Sequence, residues 1–101
     1  MVNVIIETKN NALTSLEVSG HASSGPYGQD LVCAAVSAVT IGALNALDNV
    51  DDFTIIVNEG LVSLKVKSIP STHDVTVLET LIISLKTIEA TYGEYIRILE
   101  R

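Results

Sequence analysis

The chain has few of the residues that cross-link or anchor small proteins. Its 101 residues include one cysteine, no tryptophan and only four aromatic side chains. A single cysteine cannot close an internal disulfide, so nothing in the composition argues for a secreted, disulfide-braced domain. The interior must instead be built from aliphatic residues, and the length fits one domain over residues 1–101.

Basic residues are also scarce. Six lysines and arginines stand against twelve acidic residues, which gives a net charge of −6 and argues against direct binding of nucleic acid. The longest uncharged run, from Leu31 to Leu47, is shorter than the roughly 20 apolar residues of a membrane span, and acidic residues flank it. No leader-like segment precedes the first strand-like residues, so no signal peptide and no membrane segment are expected.

Hydrophobic patterning predicts five strands and two helices. Strands are expected at Val2–Thr8, Leu13–Ser19, Phe53–Asn58, Leu61–Ser68 and Tyr95–Leu99, and helices from Asp30 to about Leu47 and from Ser71 or Thr72 to about Tyr92. Asparagines and a glycine mark the two hairpin turns, and residues Gly20–Gln29 are expected to form a loop. The order ββαββαβ predicts an α+β, two-layer domain with a mostly antiparallel sheet.

The first predicted helix is apolar around nearly its whole circumference. One sheet in so small a domain covers one side of a helix only, whereas an all-round apolar helix is normally buried on more than one side. A second subunit is therefore expected to cover the rest, which predicts a homodimer.

The segment from Gly20 to Ser37 contains the residues best suited to chemistry. If Asp30 caps the helix, Cys33 falls at its third position, where unpaired backbone N–H groups and the helix dipole favour a thiolate. His21, at the end of the preceding strand, is close enough across the loop to serve as the base. Backbone N–H groups at the helix start, including that of Cys33, are candidate oxyanion donors. Asp30 either orients the imidazole or simply caps the helix.

Other interpretations compete with a thiol hydrolase. A lone cysteine in an alanine-rich helix is often a small buried hydrophobe, in which case the domain is a non-catalytic binding module. Redox sensing ranks last, because no resolving cysteine is present. No metal site and no cofactor are expected, since one cysteine and two histidines do not match zinc-ligand spacing. His73, at the start of the second helix, is expected to be solvated.

The same residues resemble the signature of a known family. Gly20-His21-Ala22, a loop with Gly28, and Asp30-Leu-Val-Cys33-Ala-Ala-Val-Ser37 look like the motif of the Prp family of bacterial ribosomal-processing cysteine proteases. The resemblance extends over the whole chain in length and element order.

That resemblance implies a cytoplasmic, homodimeric endopeptidase; if Cys33 only packs in the core, the alternative is a non-catalytic ribosome-assembly or peptide-binding module. Its substrate in the family is the N-terminal extension of the twenty-seventh protein of the large ribosomal subunit, cleaved after an aromatic pair. Carried over, Cys33 is the nucleophile and His21 the base, while the role of Asp30 stays open. The segment from Ala22 to Gln29 would be a substrate-binding lid, and the residues expected to contact substrate are Gly20, Ala22, Gly25, Tyr27, Gly28 and Ser37.

Overall fold

Five strands form a mixed sheet with two long helices packed on one of its faces. The computed structural model describes the backbone of residues 1–20 and 27–101, and the side chains of 1–20 and 31–101. The elements are β1 (Val2–Lys9), β2 (Ala12–Ser19), α1 (Tyr27–Ala46), β3 (Phe53–Asn58), β4 (Leu61–Val66), α2 (Thr72–Tyr92) and β5 (Ile96–Glu100). The predicted α+β class and the ββαββαβ order are confirmed.

Sheet order follows from two hairpins and one return of the chain. The strands lie in the order β3-β4-β2-β1-β5. Both hairpins and the β2–β4 pair are antiparallel, whereas β5 runs parallel to β1, with Val2 opposite Ile96. β3 and β5 are therefore the two edges, and β2, which leads into Gly20, is the central strand.

The hairpin turns use the residues that left-handed backbone requires. Asn10 and Asn11 have φ of 54° and 64°, and Gly60 has φ of 73°. Asparagine and glycine adopt positive φ with little steric cost, which suits the tight turns between twisted strands. Both predicted turns are confirmed.

Aliphatic residues alternate along the strands and meet the helices in one layer. The main cluster combines the buried sides of β1, β2 and β5 with those of both helices, and a second cluster joins β3 and β4 to the ends of the helices. The fully buried members of these clusters with the largest side chains are Ile6, Leu64, Leu81, Leu85 and Ile96. Charged residues such as Glu7, Lys65 and Arg97 lie on the exposed side of the strands, so the domain has two layers, as predicted.

The second helix begins and ends where the sequence predicts. The Ser71 side chain accepts a hydrogen bond from the backbone N–H of Asp74, which makes Ser71 the N-cap. Gly93 follows the helix as its C-cap with φ of −58° and ψ of −15°. Its conformation is right-handed, so the glycine ends the helix without the left-handed turn that usually accompanies this residue.

The first helix begins earlier than predicted. It starts at Tyr27 rather than after Asp30, so residues 27–29 belong to the helix and the predicted loop to Gln29 is too long. The physical reason is that the low helix propensity of Gly28 and the capping preference of Asp30 are weak local terms, which packing of the folded helix overrides. Among the residues described, neither helix combines the length and hydrophobicity needed to cross a bilayer.

Candidate active site

Cys33 lies on the wall of a cavity of about 320 Å³ between α1 and the sheet. The cysteine is half-buried, and Ser37 and Thr40 line the same cavity from the next two turns of α1. The three residues are spaced i, i+4 and i+7, which places them on one side of a helix. A nucleophile-bearing residue and two hydroxyls therefore face one cleft.

Three other elements complete the cavity. Val2 and Val18 line it from β1 and β2, and Gly20 lines it where β2 ends. The tip of the β3–β4 hairpin, defined here as Val57, Asn58, Glu59 and Gly60, forms the remaining wall. The cavity therefore brings Cys33 close to the residue that directly precedes His21 in the chain.

The structure describes only some of the predicted site residues. Cys33, Ser37 and Gly20 line one cavity, as the proposed site requires. His21, Ala22 and Gly25 lie outside the described residues. Tyr27, Gly28 and Asp30 lie in the first turns of α1, and their side chains are outside the described part.

The expected position of Cys33 relative to the helix start is wrong. Because α1 begins at Tyr27, Asp30 lies within the helix and is not its N-cap, and Cys33 lies nearly two turns in. The unpaired N–H groups of a helix are its first four, and the dipole effect fades beyond the first turn. The helix start therefore neither stabilises a Cys33 thiolate nor offers the Cys33 N–H to an oxyanion.

Thr40 is a polar residue that the sequence-based prediction missed. Thr40 is only 2% exposed, and its Oγ1 has no hydrogen-bond partner among the described residues. The i+7 spacing from Cys33 would have indicated that it faces the same cleft. No comparable signal in the sequence indicates the hairpin tip, because its approach to α1 depends on the strand order.

A second polar cluster lies away from the cleft, where α1 leads into the connection and α2 begins. The His73 Nδ1 lies 2.9 Å from Asp74 Oδ1 and 3.2 Å from Asp48 Oδ2. His73 was expected to be simply solvated, but its half-exposed side chain engages both carboxylates. The hydrogen bond to Asp74 raises the pKa of His73, and the negative charge of Asp48 adds to that effect.

Asp74 is the buried member of this cluster. The backbone N–H of Asp48 donates to it, and this bond, followed by the His73 hydrogen bond, lowers the pKa of the Asp74 carboxyl. The oxygen atoms and the imidazole nitrogen of the three residues lie within 4.8 Å of one another. Because the backbone and His73 already occupy the Asp74 carboxylate, the geometry is that of a structural junction.

The known proteins that this chain resembles are cysteine proteases, which agrees with a cysteine on the wall of the cleft. A family model described as cysteine protease Prp matches residues 1–97. The ribosomal processing cysteine protease Prp of Staphylococcus aureus is 34% identical, with 97% of each chain covered. The Bacillus subtilis protein of the same name is 34% identical over 93% of this chain and 91% of its own.

Solved structures extend the similarity to the fold. The crystal structure of the essential S. aureus protease Prp with a covalently linked product peptide has a TM-score of 0.85 at 30% identity. The same protease with a substrate peptide has a TM-score of 0.81 at 28% identity. Both superpositions cover all of each chain. The fold, the cysteine-bearing cleft and these relatives together show that the chain belongs to the Prp family of ribosomal-processing cysteine proteases.

Proposed function

We propose that the protein is a cytoplasmic endopeptidase that uses a Cys33–His21 dyad to remove the N-terminal extension of the twenty-seventh protein of the large ribosomal subunit. The observation that carries this proposal is the position of Cys33, half-buried on the wall of a cavity that ends at Gly20. The next residue along the chain is His21, which makes it the candidate base for this cavity.

The reaction follows from these two side chains. His21 accepts the Cys33 proton, and the thiolate attacks the scissile carbonyl, forming a C–S bond. The C–N bond then breaks, and the leaving amine takes the proton from the imidazolium. Water then loses a proton to His21 and attacks the thioester carbonyl, the C–S bond breaks, and the imidazolium returns that proton to the sulfur. The carboxylic acid product loses its own proton to solvent. The product peptide covalently linked to the S. aureus relative supports a covalent step.

The start of α1 contributes little to stabilising a Cys33 thiolate, so this proposal depends more strongly on the His21 imidazole. Cys33 lies too far into α1 for the helix dipole to favour its thiolate. We therefore assign thiolate formation to His21, with Asp30 one turn before Cys33 as an orienting residue. Ser37, on the same side of the cavity, is placed to contact the substrate, together with Gly20 and the predicted lid residues Ala22, Gly25, Tyr27 and Gly28.

Peptide cleavage tests the proposal directly. A peptide with the extension should be cut by the protein and left intact by Cys33→Ala, and His21→Ala should lower kcat by about a hundredfold or more. Asp51→Ala, an exposed change outside the cleft, serves as a control and should cut normally. Equal cleavage by the protein and Cys33→Ala would overturn the dyad. Peptide binding without cleavage would favour the non-catalytic module instead.

Alkylation of Cys33 separates the role of His21 from substrate binding. The rate of iodoacetamide modification should rise with pH at a lower midpoint in the protein than in His21→Ala, because an imidazolium favours the thiolate. Superimposable pH profiles would contradict the assignment of His21. The measurement needs no substrate and follows a single sulfur, since the chain has one cysteine.

A homodimer belongs to the same proposal. In one chain α1 exposes apolar surface outside the cavity, where Leu31 is 44% exposed. Burial of this surface against a second copy would satisfy the all-round apolar helix. Sedimentation at micromolar concentration should give a dimer, and a Leu31→Asp variant should shift toward monomer.

A further inference from the structure

We propose that the hairpin tip, residues 57–60, is the specificity wall of the peptide cleft. Val57 would bind an apolar side chain of the substrate and Glu59 a basic one. The inference rests on the proposed function, because it assigns the cavity beside Cys33 to a peptide. It adds the part of the cleft that distinguishes one peptide from another.

Val57 is exposed on a side of β3 that is otherwise covered. Side chains alternate along a strand, so Phe53, Ile55 and Val57 share one side. Phe53 is 4% exposed and Ile55 packs against the second core cluster, whereas Val57 is 54% exposed. Its side chain nevertheless lines the cavity that contains Cys33. An apolar group that enters this cavity therefore gains contact area that the fold itself leaves uncovered.

The rest of the cavity suits an apolar side chain. Beyond Cys33, the hydroxyls and the hairpin tip, the described lining is mostly aliphatic: Val2, Val18, Val36, Ile41, Leu61 and Val62. A volume of about 320 Å³ is at the lower limit for ligand pockets. The cavity thus fits one or two large side chains beside the scissile bond, with the remainder of the peptide outside.

Glu59 gives the mouth of the cleft its charge. It is exposed and is the one charged residue among the described residues that line the cavity. No lysine or arginine in the described part of the chain forms an ion pair with it. The chain as a whole carries a net charge of −6, so a basic residue in the peptide is attracted both locally and over distance.

The hairpin tip is fixed relative to the end of β2. The backbone N–H of Gly20 donates to the carbonyl of Gly60 at 3.0 Å, and Gly60 adopts the positive φ that closes the turn. The specificity wall is thereby joined to the residue that precedes His21. Such a preformed wall binds a side chain with less ordering cost than a mobile one.

The strand provides a matched pair of variants. Ile56 is 46% exposed on the opposite side of β3 and does not line the described cavity. For a fluorogenic peptide with Phe-Phe before the scissile bond, Val57→Ser should lower kcat/KM about tenfold, and Ile56→Ser should not. For the Ala-Ala version of the peptide, the loss caused by Val57→Ser should be much smaller, because a methyl group reaches little of the wall, and Ile56→Ser should match the unaltered protein. Equal losses by Val57→Ser on both peptides, or equal effects of the two variants, would overturn the role of Val57.

Charge reversal tests Glu59. Glu59→Lys should weaken cleavage of a peptide with a lysine near the scissile bond and improve cleavage of the matched glutamate peptide, each severalfold and less at high salt. Equal changes for both peptides would overturn the assignment.

Binding measured in the Cys33→Ala background separates this inference from the proposed function. There, fluorescence anisotropy of the Phe-Phe peptide should weaken with Val57→Ser and not with Ile56→Ser. That result would support the specificity wall even if the protein cleaved nothing, and an identical affinity for both variants would refute it.

Discussion

The Asp74 side chain accepts a hydrogen bond at 2.8 Å from the backbone N–H of Asp48, 26 positions earlier in the chain. Its second oxygen accepts from the N–H of Asn49 at 3.1 Å. One buried carboxylate thus connects the N-terminus of α2 to the segment that follows α1. The relative position of the two helices, and with it the position of Cys33 above the sheet, depends partly on this junction.

Loss of the Asp74 carboxylate should destabilise the fold. Asp74→Ala leaves the backbone N–H groups of Asp48 and Asn49 without their acceptor in a partly buried place, and such a loss is costly. We expect a clearly lower urea midpoint with an unchanged m-value. Asp74→Asn keeps one acceptor oxygen, so its urea midpoint should lie between those of the unaltered protein and Asp74→Ala. Asp51→Ala, an exposed change in the same connection, is the control, and an equal effect of Asp51→Ala would contradict the junction.

The same junction should make stability depend on pH. The pKa of His73 is raised, so its contribution is complete below its unfolded value near 6.5 and is lost as pH rises through the folded value. The stability difference between the protein and His73→Gln should therefore be larger at about pH 5 than at about pH 9. Urea unfolding at both pH values measures it, and a constant difference would refute the coupling.

The contribution of Asp74 to stability changes with pH in the opposite direction to that of His73. Its pKa is depressed below the usual 3.8, so its contribution is present above that value and is lost as pH falls through the folded pKa. Acid unfolding should therefore begin at a higher pH in Asp74→Asn than in the unaltered protein.

Gly20 should tolerate no side chain. Its φ is 83°, and a Cβ atom there would collide with the carbonyl oxygen of Met1. The left-handed backbone alone costs about 1–2 kcal/mol for other residues, and the collision adds to it. Gly20→Ala should lower the free energy of unfolding by more than that amount and reduce peptide cleavage, because residue 20 precedes the proposed base.

Gly42→Ala is the matched control for Gly20→Ala. A Cβ atom there meets nothing within 4 Å, and the residue lies inside α1. Alanine in a helix interior is favoured over glycine by about 1 kcal/mol. Gly42→Ala should thus stabilise the protein and leave cleavage unchanged, as measured by thermal unfolding and the peptide assay. Similar destabilisation by both alanines would contradict the account of Gly20.

Replacement of Thr40 by valine should stabilise the protein. Its buried Oγ1 has no partner in the described part of the chain, and an unsatisfied buried hydroxyl costs about 1–3 kcal/mol. Thr40→Val keeps the branched shape and removes that cost, so the urea midpoint should rise. Thr40→Ala removes a methyl group as well and should not show the gain. A lower midpoint for Thr40→Val would indicate that the hydroxyl is satisfied.

Local signals in the sequence were sufficient for most of the elements. The bounds of β3 agree with the prediction, and the Ser71 cap and the Gly60 turn identify the start of α2 and the second hairpin. These features depend on a few neighbouring residues. The start of α1 was misjudged because Gly28 has low helix propensity and Asp30 is a strong capping residue, and neither preference decides the position of the helix in the folded protein.

The cleft depends on contacts that no local pattern contains. Cys33 was predicted to be a nucleophile from its neighbours in the sequence, and Ser37 was predicted to lie near it from its spacing. The hairpin tip joins the same cavity only because β4 pairs with β2, which brings residue 60 beside residue 20. Long-range pairing of this kind is decided by burial of the whole sheet, so the specificity wall became visible only in three dimensions.

The parallel pairing of β1 with β5 has a consequence for biosynthesis. Val2 pairs with Ile96, so one side of β1 stays uncovered until residue 96 has left the ribosome. Contacts so distant along the chain slow folding. Until that pairing forms, the backbone N–H and C=O groups along this side of β1 are unpaired, and such an exposed edge favours pairing with other chains.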